Sequence, residues 1–567
     1  MIFNRNGILH IPLSEYAFAT KENELIVRLR TGKNSVKKVV LAYGDTAYRK
    51  ENVEFFFIKM IKKGDDHNFD YYEARIINSF PRVVYYFELI DYKDEKHLYY
   101  ADSFYKEVSK NRNDLYKFPY IRREDIGNPP KWLENARFYN IFPDSFASSS
   151  AQKNKKESID GVVVQNKNGG TIKEIKKRLD YMNELGFNGI YLNPLFMAGE
   201  YHKYDVIDYF KVDPLFGTDG EFKDLVNSAH KKGMKVVIDL VLNHSGWYFF
   251  AFDDVIKNQE NSKYASWFYD LKFPIYRPKS WDEIPPYACF GYERNMPKLN
   301  TDNEEVINYF IKLCLYLIKE FNVDGFRLDT SDEVNDYFWI ALNRAVKKEN
   351  KDIALIGEIW ENPEHWLNSL MFDSAMNYEL RKAILLFFEN KIDASEFKDQ
   401  LTRLRFRNKE QYYYSLLNIL TTHDTPRLYS LLDESSKKYK SAYALLYFLP
   451  GAISVLYGEE FPIKGLKECE YRNPINFKKK PRFARFFKEI NGIRSQYQCL
   501  TKGEISFSLD NGLLKITREV DSEKLSIYVA GSRGKKIDIK KEDIISSNGY
   551  DFTKKLLTNF GYIITKG

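Results

Sequence analysis

The chain has 567 residues, 44% hydrophobic and 29% charged, so its composition is globular and its length calls for two to four domains rather than one core. Its 86 Lys and Arg against 79 Asp and Glu leave a net charge of only +7. The basic residues are scattered apart from short runs such as "NFKKKPRFAR", which argues against nucleic acid as a partner. Cys289, Cys314, Cys469 and Cys499 show no CxxC pairing and read as reduced thiols. No basic leader precedes an apolar stretch and no run would span a bilayer. The expectation is a cytoplasmic protein with no membrane partner.

Residues 1–125 read as strands. "ELIVRLRT", "VKKVVLAYG", "VEFFFIKMIKK", "YYEARIIN" and "VVYYFELIDY" are β-branched and aromatic runs separated by Gly, Asp and Asn, a pattern that predicts a β-sandwich. "GNPPKWLENA" marks a boundary. From 126 to 498 strands alternate with helices: "RFYNIFP", "TIKEIKKRLDYMNELG", "GFNGIYLNPL", "EFKDLVNSAHKKG", "MKVVIDLVLNH", "VDGFRLDT", "IALIGEIW", "SLLNILTTHD" and "AISVLYGEE". About eight such units predict an α/β fold, a (β/α)₈ TIM barrel. Residues 245–300 are rich in aromatics, Pro and Asp without clean periodicity, and read as a subdomain inserted after the third strand. Residues 499–567 return to strands around a DNG turn, predicting a C-terminal β-domain.

Polar residues gather where the barrel strands end. "VVIDLVLNH" delivers Asp239, Asn243 and His244; "FRLD" delivers Arg327 and Asp329; "LIGEIW" delivers Glu358; "ILTTHD" delivers His423 and Asp424. In a parallel barrel those ends share one mouth. Any one of these residues alone reads as a structural ion pair, but four carboxylates converging there do not. Such a set suits glycosidic cleavage, with one carboxylate attacking the sugar carbon and a second protonating the leaving oxygen. Arg327 beside Asp329 is expected to keep it ionised. The apolar approach to Glu358, with Trp360 near, is expected to keep that group an acid. The histidines lack zinc spacing, so no metal is assigned to them.

These segments resemble the α-amylase superfamily, glycoside hydrolase family 13. "DLVLNH", "GFRLDTSDE", "GEIW" and "LTTHD" are similar to its four conserved segments in the right order. "MPKLN" resembles a fifth segment of the neopullulanase, cyclomaltodextrinase and maltogenic amylase branch. "FYNIFPDSF", "HKYDVIDYFKVDPLFG" and an N-terminal stretch resembling a starch-binding-like module point to the same branch. The resemblance implies Asp329 as nucleophile, Glu358 as acid/base and Asp424 as transition-state stabiliser. It implies Arg327 as the residue that orients Asp329, and His244 and His423 as binders of sugar hydroxyls. Tyr204 would stack on the same sugar, with His202, Asp239 and Asn243 supporting. Trp360, Glu333 and Arg472 complete the expected substrate-binding set. The expected activity is retaining hydrolysis of α-1,4 bonds, with some α-1,6, in cyclomaltodextrins, maltooligosaccharides and pullulan, and a homodimer is expected.

Three departures stand out. The branch reads VANE where this chain has Thr330, Ser331, Asp332 and Glu333, which leaves an oligo-α-1,6-glucosidase or debranching enzyme, or a transferase, as alternatives. Calcium-holding relatives carry an Asn/Gly/Asp-rich loop after the segment at Phe142. Here it is "FPDSFASSSAQKNKK", poor in the oxygens a hard cation wants, so no cofactor is expected to be required. "LKECEYRNPINF" keeps Arg472, with Glu468 or Glu470 at the family's acidic position. A non-catalytic carbohydrate-binding protein is disfavoured because all three catalytic carboxylates are present.

Overall fold

Eight short parallel strands follow the apolar runs of the sequence: β1 (Arg137–Ile141), β2 (Gly189–Leu192), β3 (Lys235–Leu240), β4 (Gly325–Leu328), β5 (Ala354–Gly357), β6 (Ser374–Ala375), β7 (Leu417–Ile419) and β8 (Ala452–Leu456). They pair in the order β6-β5-β4-β3-β2-β1-β8-β7, and a parallel bridge from Met376 to Leu417 links the two ends into a nearly closed barrel. The computed structural model describes residues 3–50, 52–77, 80–147, 153–159 and 161–567. The barrel belongs to a compact unit of Pro129–Arg381 and Ser415–Thr501. Strands β4, β5 and β8 are buried along their whole length, as both faces of a parallel barrel strand are covered, and Arg327 of β4 and Ser454 of β8 are buried with their apolar neighbours. Phe138, Tyr191, Val237, Ala354, Ile356 and Leu417 fill the interior.

Strand β4 is set in place by the helix before it and by one carboxylate at its start. The helix, Glu304–Phe321, begins at Asn303, whose side chain accepts the Glu305 and Val306 N–H groups. It ends at left-handed Asn322 (φ 57°). Its apolar face, with Phe310, Leu313, Cys314, Leu317 and Phe321, recurs at helical spacing and is buried. Asp324 then ties the start of β4 to β3 by accepting the Val236 N–H (2.8 Å) and pairing with His230 (2.7 Å) and Lys235 (2.7 Å). In that register Asp239 of β3 lies opposite Arg327 of β4.

A long segment joins β3 to β4. It contains the helix Phe250–Asn258 and is otherwise largely irregular. Isolated bridges join His244 to Lys298 and Phe268 to Leu299. The sequence reading missed β6, because two residues, Ser and Ala, carry no periodic signal.

The second unit comprises Met1–Asn128, Lys382–Tyr414 and Lys502–Gly567. Its N-terminal part is two antiparallel sheets around a core of Leu25, Val27, Leu41, Tyr85 and Phe87. The run "VEFFFIKMIKK" proves to be two strands, Phe56–Lys59 and Ile61–Asp65, that pair in different sheets; buried Met60 sits at the crossing. The C-terminal strands form one antiparallel sheet. The Asn511-Gly512 turn has φ of 49° and 77°, the left-handed pair a tight hairpin requires. The helix Ala394–Phe406 lies with these β-domains: Lys398 pairs with Asp65 at 2.6 Å, and Arg405 donates to the Ile505 carbonyl at 2.5 Å. Among the described residues no helix is long and apolar enough to cross a membrane.

Gly325 opens β4, and a Cβ there would lie 2.8 Å from the Ala354 carbonyl oxygen and 3.0 Å from the Ala354 Cβ. Gly325→Ala should therefore wedge β4 from β5 and destabilise the barrel by about 1–3 kcal/mol, read as a lower unfolding temperature by calorimetry with a parallel loss of activity.

Candidate active site

The strand ends bring the polar residues together as the parallel topology requires. Arg327 is wholly buried. Its Nη1 lies 2.8 and 2.9 Å from the two oxygens of Asp239 and 2.9 Å from Asp329 Oδ1, and its Nη2 lies 2.6 Å from Glu358 Oε1. One guanidinium thus serves three carboxylates from β3, β4 and β5. Asp239 also accepts from the Tyr191 and Tyr204 hydroxyls, each at 2.9 Å, and from the Asn193 amide at 3.2 Å.

A second cluster forms after β7. Asp424 pairs with His423 and with Arg472, both at 2.9 Å. Arg472 also donates to the His423 carbonyl (2.8 Å) and to Glu468 (2.5 Å). Of the two acidic residues considered for this position, Glu468 faces the cavity, whereas Glu470 accepts backbone N–H groups of Leu466 and Lys467. His423 Nδ1 is 2.9 Å from the Asn193 amide, and its Nε2 is shared by Asp424 and the Tyr204 hydroxyl.

A cavity of about 500 Å³ opens over these groups. Asp329, Glu358, Asp424, His202, Tyr204, His244, Trp360, Glu333 and Arg472 all line it. Arg327, His423, Asp239 and Asn243 stand behind its wall, buried to 1% exposure or less. Thr330 and Asp332 line it too, and Phe290, Met296 and Glu293 reach it from the segment between β3 and β4. The sequence reading missed them because that region has no periodicity. It also missed Tyr378, whose ring stacks on Trp360 at 3.9 Å and whose hydroxyl lies 3.5 Å from Glu358. Asn243 donates to Glu333 (3.2 Å), and Lys298 of "MPKLN" pairs with Glu333 (3.0 Å).

The electrostatics differ from the sequence expectation. Arg327 is not dedicated to Asp329. Burial above all, with Glu358, Asp239 and Asp424 adding their charge, pushes the Asp329 carboxyl well above its ordinary range against the pull of Arg327. Glu358 does not sit in apolar surroundings alone, since Arg327 and the Thr330 N–H (3.0 Å) both reach it. Burial disfavours ionised Asp424, but His423, Arg472 and Arg327 outweigh it and hold that carboxyl well below the usual range. Burial lowers His202 and His244 to about 3, with Arg472 and Lys203 adding at the first and Lys298 at the second. His244 stacks on Phe290 at 4.8 Å, and its buried Nε2 has no hydrogen-bond partner among the described residues, so it is open to a ligand's hydroxyl.

Asp144 is buried and already accepts the N–H groups of Lys167, Asn168 and Gly169 and the Asn168 amide, donors that compete for the oxygens a cation needs. Residues 148–152 of the loop after Phe142 lie outside the described residues.

Known proteins match along nearly the whole chain. Residues 140–491 match the model of the alpha amylase catalytic domain, and residues 1–122 match the alpha amylase N-terminal ig-like domain. A maltogenic alpha-amylase of Bacillus acidopullulyticus is 34% identical, covering 93% of this chain and 92% of its own. Neopullulanase 2 of Thermoactinomyces vulgaris is 32% identical, covering 94% and 91%. A solved cyclomaltodextrinase structure, 30% identical, superposes with a TM-score of 0.88 over 99% of this chain and 98% of its own.

Histidines lowered to about 3 stay neutral from about pH 4 upward, so neither should set the acid limb of activity. His202→Asn and His244→Asn should lower kcat/KM by roughly ten- to a hundredfold and leave that limb in place in a pH–rate profile.

Proposed function

The chain belongs to the alpha-amylase family, glycoside hydrolase family 13, in the branch of the cyclomaltodextrinases, neopullulanases and maltogenic amylases, and from that premise we propose that it cleaves α-1,4 bonds of cyclomaltodextrins, maltooligosaccharides and pullulan, with some α-1,6 cleavage, and retains the α configuration. The observation that carries this reading is the single buried guanidinium of Arg327 gripping Asp239, Asp329 and Glu358 beneath one cavity.

In this reading an Asp329 oxygen attacks the anomeric carbon while Glu358 gives its proton to the departing glycosidic oxygen. A β-glycosyl ester results. Glu358, now a carboxylate, takes a proton from water, which attacks the same carbon and returns Asp329. Two inversions give retention. Asp424, held ionised by His423 and Arg472, grips sugar hydroxyls and supplies negative charge as the oxocarbenium develops. Tyr204 offers its ring to the same sugar. Neutral His244 and His202 donate or accept without adding charge. Arg327, Asp239, Asn243 and His423 act from behind the wall by positioning the groups in front.

No cation is required in this scheme. The protein works as a cytoplasmic homodimer; the exposed Phe56, Phe57 and Ile61 on the edge strands of the N-terminal sheets, 51–59% accessible, suit burial against a second copy.

The test is hydrolysis of β-cyclodextrin against soluble starch, with products separated by chromatography. Faster attack on the cyclodextrin, release of α-anomers by NMR, and a loss on the order of 10³-fold or more in Asp329→Asn and Glu358→Gln are expected. Chelator should leave the rate unchanged. Preferred attack on starch, or on α-1,6-linked isomaltooligosaccharides alone, would overturn the substrate assignment.

A further inference from the structure

Asp329 and Glu358 are joined by one residue between them in space, Thr330. Its backbone is left-handed, with φ 45° and ψ 50°, a conformation β-branched residues rarely adopt. The turn is pinned from several sides. The Thr330 N–H donates to Glu358 Oε2 at 3.0 Å, Ser331 N–H to the Glu358 carbonyl at 3.2 Å, and Ser331 Oγ to the Leu328 carbonyl at 2.6 Å. The indole N–H of Trp339 reaches the Ser331 carbonyl at 3.0 Å. What this geometry gains is the aim of the threonine side chain, whose hydroxyl donates to Asp329 Oδ2 at 3.1 Å. The other oxygen, Oδ1, is held by the buried Arg327 at 2.9 Å. The two oxygens of the carboxylate are therefore unlike. One is held by the buried guanidinium, and the other carries a single neutral hydroxyl.

We propose that Thr330 is a positioning residue that holds Oδ2 as the attacking oxygen and tunes the partition between the two chemical steps. This rests on Asp329 acting as nucleophile and Glu358 as acid/base. In the first step a lone pair of Oδ2 forms the bond to the anomeric carbon, the glycosidic C–O bond breaks, and its electron pair takes the proton of Glu358. Oδ2 becomes an ester oxygen, a poorer acceptor, and the threonine hydrogen bond weakens. In the second step water loses a proton to Glu358 and attacks, the C–Oδ2 bond breaks, and the electron pair returns to Oδ2, where the hydroxyl again stabilises it. A donor that binds the carboxylate more tightly than the ester opposes attack and favours release. The hydroxyl thus shortens the life of the intermediate.

The charged groups facing Asp329 are Arg327 on its own strand, Asp239 from β3, Glu358 from β5 and Asp424 after β7. None is altered by Thr330→Val, which keeps the β-branched shape and deletes only the donor. Thr330→Ser keeps the donor and alters the shape. α-Maltosyl fluoride makes the first step easy, so its kcat reports release of the ester, while kcat/KM reports the attack. In Thr330→Val the fluoride kcat should fall roughly tenfold with kcat/KM unchanged or raised, and the acid limb of kcat/KM should move to higher pH because the ionised carboxylate has lost a donor. Thr330→Ser should restore both. The proposal is overturned if kcat and kcat/KM fall together with the limb in place, if the valine variant behaves as wild type, or if serine fails to rescue. Wild type that does not turn the fluoride over, or Asp329→Asn that matches it, would instead overturn the proposed function and this assignment with it.

Discussion

The site depends on one cation that cannot leave. Arg327 is fully buried and shared by Asp239, Asp329 and Glu358. Isolating a guanidinium in a protein interior costs several kcal/mol unless good partners surround it, and removing one partner of such a set leaves an uncompensated charge. The carboxylates need the arginine as much as it needs them. Each of the three arrives on a different strand, so the cluster exists only when β3, β4 and β5 are in register. Asp324 fixes that register at the other end of the same strands by binding the Val236 N–H, His230 and Lys235. Two polar clusters thus clamp an otherwise apolar set of strands, one at the bottom for alignment and one at the top for chemistry.

Much of this was legible in the sequence because burial and polarity contradict each other there. A run such as "VDGFRLDT" has the apolar approach of a core strand and then two charges of opposite sign, and few environments other than a barrel mouth accommodate both. The DNG hairpin was equally plain, since it rests on backbone preference. What could not be read was of two kinds. β6 is too short to show a period, and Phe290 and Met296 lie where no period exists. The division of the Arg327 charge among three acids depends on distances, not on spacing, so placing Arg327 two residues from Asp329 overstated how exclusively it serves that carboxylate.

The linear order of the chain also hid how its parts group. The helix Ala394–Phe406 falls between β6 and β7, inside the stretch that reads as barrel, yet Lys398, Asp399 and Arg405 bond to residues of the N- and C-terminal β-domains. Its apolar residues at helical spacing announce only that one face is covered. Which partner covers it is tertiary information that no window of the sequence contains.

The charge balance of the site argues for its chemistry. Asp239, Asp329, Glu358 and Asp424 face Arg327 and Arg472, while His202 and His244 are held neutral by burial. Four acids against two guanidinium groups leave surplus negative charge in the cluster, and together with burial that surplus raises the Asp329 carboxyl. A neutral sugar entering the cavity does nothing to relieve that surplus. A sugar ring acquiring positive charge at its anomeric carbon does, and it does so most at the moment the glycosidic bond is breaking. An excess of fixed negative charge beneath the cavity is thus poorly matched to substrate and well matched to an oxocarbenium-like transition state, which is the condition for accelerating the step rather than merely binding its reactant.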